Sequence, residues 1–399
     1  MSTAPSVPSL SYEFVAPQRI VFGWGRRREV GALARTLGHR AFVICGAEGI
    51  AESGVLGEIA GELRNEGVAP VLTETITREP EVADVDRLAE LLRQHDAEPG
   101  DLVLAVGGGA AIDLAKAAAA MATNDQSHTV KDYLENVGRQ LKLLRDPLPV
   151  LAMPTTAGTG AEATRNAVIS CYDPPFKKSL RDTRILPKIA LVDPELTVTV
   201  PPAVTAASGM DAITQLLESY ISRKAQPIPQ ALAVQGLKMA VPSIAEAVRD
   251  GTSRPAREKM AHAALLSGMC LANSGLGMAH GVAAALGVHH RIPHGVACAL
   301  MLPVALRVNR RARQAELAQL SRLLFGQGPS TAPEDTVEML IRVIEKLCDG
   351  VGVPRRLSQL GVTRDHIPAL VASARGSSMS GNPRDLDDDE LRQILEGIL

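Results

Sequence analysis

Up to about residue 195, short aliphatic runs alternate with segments of helical periodicity. The apolar runs are typical of buried parallel strands, and the intervening segments repeat apolar residues three and four positions apart. We predict strands at 40–46, 69–76, 101–109, 148–156 and 188–194, and helices at 55–67, 82–96 and 110–122. This alternation predicts an α/β domain with a parallel sheet and helices on both of its faces.

After Pro201-Pro202 the strand-like runs stop, and the remaining apolar segments have helical spacing. A polar loop is predicted at 326–335, and a second at 377–390 before a final capped helix. We therefore predict an α/β domain at residues 1–195 followed by an all-α domain at residues 196–399.

Composition and charge exclude several classes of function. The chain has 399 residues, 46% hydrophobic content and a net charge of −2, so no basic surface favours nucleic acid or an anionic membrane as partner. Its five cysteines are widely spaced and form no CxxC pair, which indicates reduced thiols in a cytoplasmic protein. We expect neither a signal peptide nor a membrane span.

Three consecutive glycines, Gly107, Gly108 and Gly109, separate a predicted strand from a predicted helix that carries Asp113 and Lys116 in its first turns. Glycine lets a backbone approach a ligand closely, and the N–H groups and dipole of a helix start favour a phosphate. A tight turn between strand and helix that binds no ligand would explain the same glycine residues.

A second polar loop, MPTTAGTGAEAT at 153–164, also follows a predicted strand. It offers bare backbone at Gly158 and Gly160 and hydroxyl groups at Thr155, Thr156 and Thr159. Two such loops at the carboxyl ends of strands fit a nucleotide cleft, although neither is a GxGxxG or Walker motif.

The helical half contains a possible metal site. Asp211 and Gln215 lie four residues apart, on one face of a predicted helix. His280 lies on another helix, and His294 begins a further helix in a Pro-His-Gly turn. Carboxylates and neutral imidazoles bind divalent transition metals, so these residues could converge in a cleft. The alternative is that each histidine is a satisfied polar group in a helical core.

Taken together, the segments GGGAAIDLAK, MPTTAGTGAE, GMDAITQ, AHGVAAALG and IPHGVACALMLP resemble the iron-containing (group III) alcohol dehydrogenase family. The resemblance covers nearly the whole chain. It implies the dehydroquinate synthase-like architecture of a dinucleotide-binding α/β domain and a helical domain, with the active site between them. It also implies an NAD(P)-dependent interconversion of alcohols and carbonyl compounds, a small-molecule substrate and a homodimer.

The resemblance assigns roles to individual residues. It implies that Asp211, His280 and His294 are metal ligands and catalytic groups. Lys177 matches a cofactor-contacting lysine, although Lys178 is an equally simple choice. The other implied cofactor-binding residues are Gly107, Gly108, Gly109, Asp113, Thr155, Thr156 and Thr159.

Three positions depart from the family pattern. Gln215 stands where the metal site has a histidine, and an amide is a poor replacement for imidazole with Fe, Zn or Ni. Ala284 stands where many members have a second histidine, one turn after His280. Gly46 ends its strand where NAD-preferring members often carry an acidic residue. Without that residue, the choice between NAD and NADP as cofactor stays open.

These departures leave several hypotheses. Asp211, His280 and His294 hold a divalent ion with Gln215 or water as a weak fourth ligand, or His289 or His290 compensates. Alternatively, the site works without metal, as in maleylacetate reductases. Two further alternatives are an inactive nucleotide-binding relative and a dehydroquinate synthase-like lyase. We favour a metal-dependent dehydrogenase.

Overall fold

The first half of the chain builds a parallel sheet of six strands. In the computed structural model, which describes residues 11–46, 50, 53–326, 328 and 330–399, the order of these strands is β1-β8-β5-β4-β2-β3. The strands are β1 (Arg19–Phe22), β2 (Arg40–Gly46), β3 (Ala69–Thr75), β4 (Asp101–Gly107), β5 (Val150–Pro154) and β8 (Ile189–Val192). All the predicted strands are confirmed, with ends shifted by a few residues.

Helices cover both faces of the sheet, as predicted. They are α1 (Val30–Arg35), α2 (Val55–Asn65), α3 (Val82–Gln94) and α4 (Gly109–Thr123). Apolar residues of α1 and α2, including Leu33 and Leu63, pack on one face. Apolar residues of α3 and α4, including Leu92 and Ile112, pack on the other. The central strands β2, β4, β5 and β8 are therefore buried from both sides, which explains their continuous runs of apolar residues.

Three strands were not predicted. β1 has only four residues and begins with Arg19. β6 (Asn166–Tyr172) and β7 (Pro175–Arg181) form an antiparallel hairpin outside the main sheet. Buried, partly buried and exposed residues, both polar and apolar, are mixed along both strands, so no continuous apolar run marks them.

The second half is helical: among the described residues, no strand follows β8. Its helices are α5 (Pro202–Ile221), α6 (Pro227–Arg249), α7 (Arg254–Ser274), α8 (Met278–His290), α9 (His294–Asn309), α10 (Gln314–Phe325), α11 (Pro333–Gly350), α12 (Ile367–Ser373) and α13 (Asp388–Glu396). Helix α5 lies at the centre and packs against α6, α7 and α9. Because its central turns are surrounded, their polar side chains must find partners inside the protein.

Helix α6 is the one described helix that is by itself long and apolar enough to cross a membrane. It packs along α5 and α7 and contributes Ala233, Leu237 and Ile244 to the helical core. A core helix of a globular protein passes the same test of length and composition, so α6 is weak evidence for a membrane span.

Glycines bring the two halves into backbone contact. A Cβ atom on Gly158 would lie 2.7 Å from Cβ of Ser208 on α5, and one on Gly268 of α7 would lie 2.1 Å from the carbonyl oxygen of Gly160. Gly160 also has a left-handed conformation, with φ of 61°. The glycines at 158 and 160 were predicted to expose backbone to a cofactor, but in the structure they seat the loop against α5 and α7.

The Gly160–Gly268 contact gives the first prediction. Gly268→Ala should lower the thermal unfolding midpoint, because overpacking at such a contact costs about 1–3 kcal/mol. Gly61→Ala is the matched control, since Gly61 lies inside α2 and a Cβ there meets nothing within 4 Å. That control should raise the midpoint, because alanine is the better helix former by about 0.5–1 kcal/mol. Equal shifts in both variants would show that the contact is unimportant.

Candidate active site

The two glycine-bearing loops lie side by side because their strands are neighbours in the sheet. β4 pairs with β5 so that Gly107 faces Pro154, and the backbone N–H of Thr155 donates to the carbonyl of Gly107 over 3.0 Å. Both loops therefore leave the carboxyl edge of the sheet at the same place, which is where nucleotides bind in open α/β folds.

The first loop combines packing with open backbone. Gly107 pairs with Gly46 of β2, and a Cβ atom on Gly46 would lie only 2.4 Å from Cβ of Ala111. Gly46 and Gly107 thus let α4 approach the sheet, whereas Gly108 and Gly109 line a large cleft. The packing at Gly46 explains why this strand end carries no acidic side chain.

A buried lysine anchors the second loop. The ammonium group of Lys116 donates to the carbonyl of Ala161 and to the hydroxyl of Thr164, and it forms an ion pair of 2.8 Å with Asp113. Glu162 is buried nearby, and burial raises the pKa of its carboxyl group to about 7, although Lys116 opposes that shift. Lys116 therefore ties α4 to the loop that carries the threonines.

Asp211, His280 and His294 converge, as the sequence predicted. Oδ1 of Asp211 lies 3.2 Å from Nε2 of His280 and 3.8 Å from Nε2 of His294. The residues come from α5, α8 and the first turn of α9, and Asp211 and His280 are almost completely buried. Oδ1 of Asp211 thus faces the Nε2 atom of each of the two histidines.

Glu218 completes this arrangement and was missed from the sequence. It lies on α5, seven residues after Asp211, and accepts from Nδ1 of His280 over 2.7 Å. It also accepts from the backbone N–H groups of Gly277, Ala279 and His280, so it caps the start of α8. The spacing of seven residues, which keeps Glu218 on the face of Asp211, was the available signal.

This geometry fits a cation. The carboxylate of Glu218 also accepts hydrogen bonds from three backbone N–H groups, which keeps it an acceptor. Nδ1 of His280 must therefore carry the proton in their hydrogen bond. In neutral His280 the lone pair of Nε2 would then face the Asp211 carboxylate. Two acceptors at 3.2 Å need a proton or a metal ion between them. A carboxylate behind a ligating histidine is also the usual support of a metal site.

The charges of the site agree with this reading. Burial opposes ionisation of Asp211, but His294 and His280 outweigh it and lower the pKa of Asp211. Burial lowers the pKa of His294 to about 4, which keeps its imidazole neutral. Burial would also lower the pKa of His280, but Cys298, Asp211 and Glu218 raise it well above its ordinary value. Without metal, His280 therefore carries the positive charge beside Asp211.

Gln215 lies next to the cluster but presents the wrong atom to it. Its Nε2 donates to Oδ2 of Asp211 over 3.4 Å, and its Oε1 accepts from the hydroxyl of Ser267 over 3.0 Å. The amide nitrogen has no lone pair available for a metal ion. In this orientation Gln215 donates to Asp211 and directs no lone pair at the cluster.

Two cavities meet at this cluster. One, of about 1990 Å³, runs past Gly108, Gly109, Thr155, Thr156 and Thr159 to Asp211 and His294. The other, of about 1220 Å³, is lined by Gln215, His280, Ala284 and His294. His294 and Thr159 line both, so the cluster stands where a cofactor cleft and a substrate pocket would join.

The remaining predicted residues have mixed positions. Lys177 and Lys178 both line the second cavity, and Lys177 forms an ion pair of 2.6 Å with Glu79. Asp113 also lines that cavity. His289 bonds to Ser373 and His290 packs against the ring of His366, so neither compensates for the histidine missing at position 215.

Comparison with known proteins places this geometry in context. The family model for iron-containing alcohol dehydrogenase matches residues 17–194. The model for the Fe-containing alcohol dehydrogenase family, C-terminal part, matches residues 205–399. The two matches together span nearly the whole chain.

Individual relatives agree. The chain is 31% identical over 386 residues to long-chain-alcohol dehydrogenase 1 of Geobacillus thermodenitrificans, covering 95% of this chain and 96% of that one. It is 30% identical to 1,3-propanediol dehydrogenase of Citrobacter freundii, covering 96% and 98%. The solved structure of an alcohol dehydrogenase from Oenococcus oeni superposes with a TM-score of 0.89 at 30% identity, covering 98% of this chain and all of that one.

Burial of Glu162 gives a prediction about pH. Because its pKa is raised from 4.5 to about 7 on folding, its contribution to stability is complete below pH 4.5 and is lost as the pH rises through 7. Glu162→Gln mimics the protonated acid, so the variant should gain in thermal midpoint relative to the parent between about pH 5 and 8. Glu66→Gln, at an exposed site, is the control and should show no such trend. A constant difference between Glu162→Gln and the parent would contradict the assignment.

Proposed function

The chain belongs to the iron-containing alcohol dehydrogenase family, and from that premise we propose how its own residues serve the reaction. The protein is an NAD(P)-dependent oxidoreductase that interconverts an alcohol and an aldehyde or ketone. The observation that carries the proposal is the convergence of Asp211, His280 and His294 where the two cavities meet.

Asp211, His280 and His294 would hold a divalent metal, with Fe, Zn or Ni as candidates. When bound, the metal supplies Lewis acidity toward the substrate oxygen, and the nicotinamide supplies or accepts the hydride. Asp211 contributes negative charge, His294 a neutral imidazole, and His280 an imidazole whose orientation Glu218 fixes. Glu218 is thus a positioning residue.

The larger cavity is proposed as the cofactor cleft. Gly108 and Gly109 present backbone at the start of α4, where the helix dipole favours a phosphate. The threonine side chains Thr155, Thr156 and Thr159 line the path from there to His294. Gly46 offers no carboxylate to repel a 2′-phosphate, which supports use of NADP as well as NAD.

The smaller cavity is proposed to hold the substrate. Part of its lining is apolar, with Leu271, Leu276, Gly281 and Ala284, and the rest includes charged residues such as Lys178. Ala284 leaves free the space that a second histidine on α8 would fill. This lining favours an aliphatic carbon skeleton with its oxygen directed at the ligand cluster.

We extend the proposal to a cytoplasmic homodimer with its domain boundary near residue 195. None of the five cysteines forms a disulfide, which suits a reducing compartment. β1 forms one edge of the sheet, and an edge strand offers backbone groups for pairing with a second chain. The change from strands to helices falls between Val192 and Pro202, which supports the boundary.

One observation favours a second candidate, a metal-free reductase of the maleylacetate reductase type. Gln215 donates to Asp211, and a protonated His280 already neutralises that carboxylate. On this alternative, His294 would polarise the substrate carbonyl directly. The two candidates differ in their response to a chelator.

The proposed function predicts metal-dependent turnover. Protein stripped by a chelator and reloaded with Fe(II), Zn(II) or Ni(II) should reduce aliphatic aldehydes with NADH or NADPH, measured as loss of nicotinamide absorbance. Asp211→Ala should lower kcat/KM by at least about 100-fold, since even residues behind a metal ligand contribute about 10–100-fold. Asp365→Asn, at an exposed site, should not change it.

Activity that survives complete removal of metal would favour the metal-free candidate. If Asp211→Ala kept the parental kcat/KM, the role proposed for Asp211 would be wrong. Binding of either dinucleotide without turnover of any aldehyde would contradict the enzymatic proposal itself.

A further inference from the structure

A buried thiol belongs to the cluster of proposed ligands. Cys298 lies on α9, one turn after His294, and its Sγ is 3.6 Å from Nε2 of His294. The residue is completely buried. Residues four apart on a helix project from the same face. The face of α9 that presents His294 to the cluster therefore presents Cys298 to it as well.

The four donor atoms have the spacing of a coordination sphere. One atom each of Asp211, His280, His294 and Cys298 lies within 4.8 Å of all the others. A tetrahedral ion with bonds of about 2.0–2.3 Å places its ligands roughly 3.3–3.8 Å apart. Three of the six separations, at 3.2, 3.6 and 3.8 Å, lie within a few tenths of an ångström of those edges.

The other candidates for a fourth protein ligand face elsewhere. The Gln215 amide directs its nitrogen at Asp211 and its oxygen at Ser267. His289 and His290 contact Ser373 and His366. Within the described part of the chain, no other group of three or more histidine, cysteine or acidic side chains has donor atoms close enough to share an ion.

We propose that Cys298 is a metal ligand in this protein and completes an Asp–His–His–Cys set in which its thiolate takes the place left by Gln215. On binding, the ion displaces the S–H proton, which leaves to solvent, and a metal–sulfur bond forms. The inference rests on the proposed function, since it concerns the same site. A thiolate ligand makes the set softer, which favours Zn(II), Co(II) or Fe(II) over Mg(II).

Cobalt spectroscopy tests the inference without an activity assay. The chelator-treated protein reloaded with Co(II) should show a sulfur-to-cobalt charge-transfer band in the near ultraviolet. Cys298→Ser should lose that band and bind cobalt at least about 10-fold more weakly, because the oxygen replacing sulfur is a poorer ligand. Cys270→Ala, which removes another buried thiol, should keep both the band and the affinity.

X-ray absorption on the unmodified zinc-loaded protein guards against a variant that fails to fold. It should show one sulfur at about 2.3 Å from zinc. Stoichiometric metal with only nitrogen and oxygen neighbours would overturn the role of Cys298 while leaving the proposed function intact. A protein that binds no metal but turns over aldehydes would overturn the inference and favour the metal-free reductase.

Discussion

The structure depends on two carboxylates buried on one face of α5. Asp211 and Glu218 stand on either side of the His280 ring, at 3.2 and 2.7 Å from its two nitrogens. Buried charges are costly unless they are paired and hydrogen-bonded. The negative charge of Glu218 is compensated by the start of α8, because the carboxylate accepts hydrogen bonds from backbone N–H groups there. Asp211 has no helix start of its own and relies on the cation beside it, a protonated His280 or a metal ion. The chemistry assigned to the site follows from that requirement.

Close backbone packing places this cluster at the end of the larger cleft, which Gly108 and Gly109 also line. Gly158 and Gly160 let the second loop rest directly on α5 and α7, and Gly295 brings the first turn of α9 against the backbone of α5 at Ala207. The loop that carries the threonines and the helix that carries Asp211 are therefore in direct backbone contact. A hydride transfer needs its two partners within a few tenths of an ångström of the reacting geometry, and glycine contacts of this kind supply such a fixed relation.

Sequence patterns predicted the elements with a continuous signal. Strands such as 40–46 and 101–107 are apolar after their first residue because both faces of the sheet are covered, so they stood out. The hairpin of β6 and β7 is half-buried and was missed. Asp211, His280 and His294 stood out as potential metal-binding residue types and then through the family resemblance, and the fold brings them together. Glu218 and Cys298 follow them at helical spacings of seven and four, but those spacings acquire meaning only when three helices are packed. The orientation of the Gln215 amide likewise depends on Ser267, which lies 52 residues away along the chain.

We propose that Asp211, His280 and His294 hold a metal ion at the end of the cleft lined by Gly108 and Gly109. Anomalous diffraction from crystals of the zinc-loaded protein with bound dinucleotide, recorded above and below the zinc absorption edge, tests it most directly. We expect one strong peak enclosed by Oδ1 of Asp211 and the Nε2 atoms of His280 and His294, with the nicotinamide end of the cofactor beside it. A dinucleotide in the cleft with no anomalous peak at the cluster, or with the ion bound elsewhere, would contradict it.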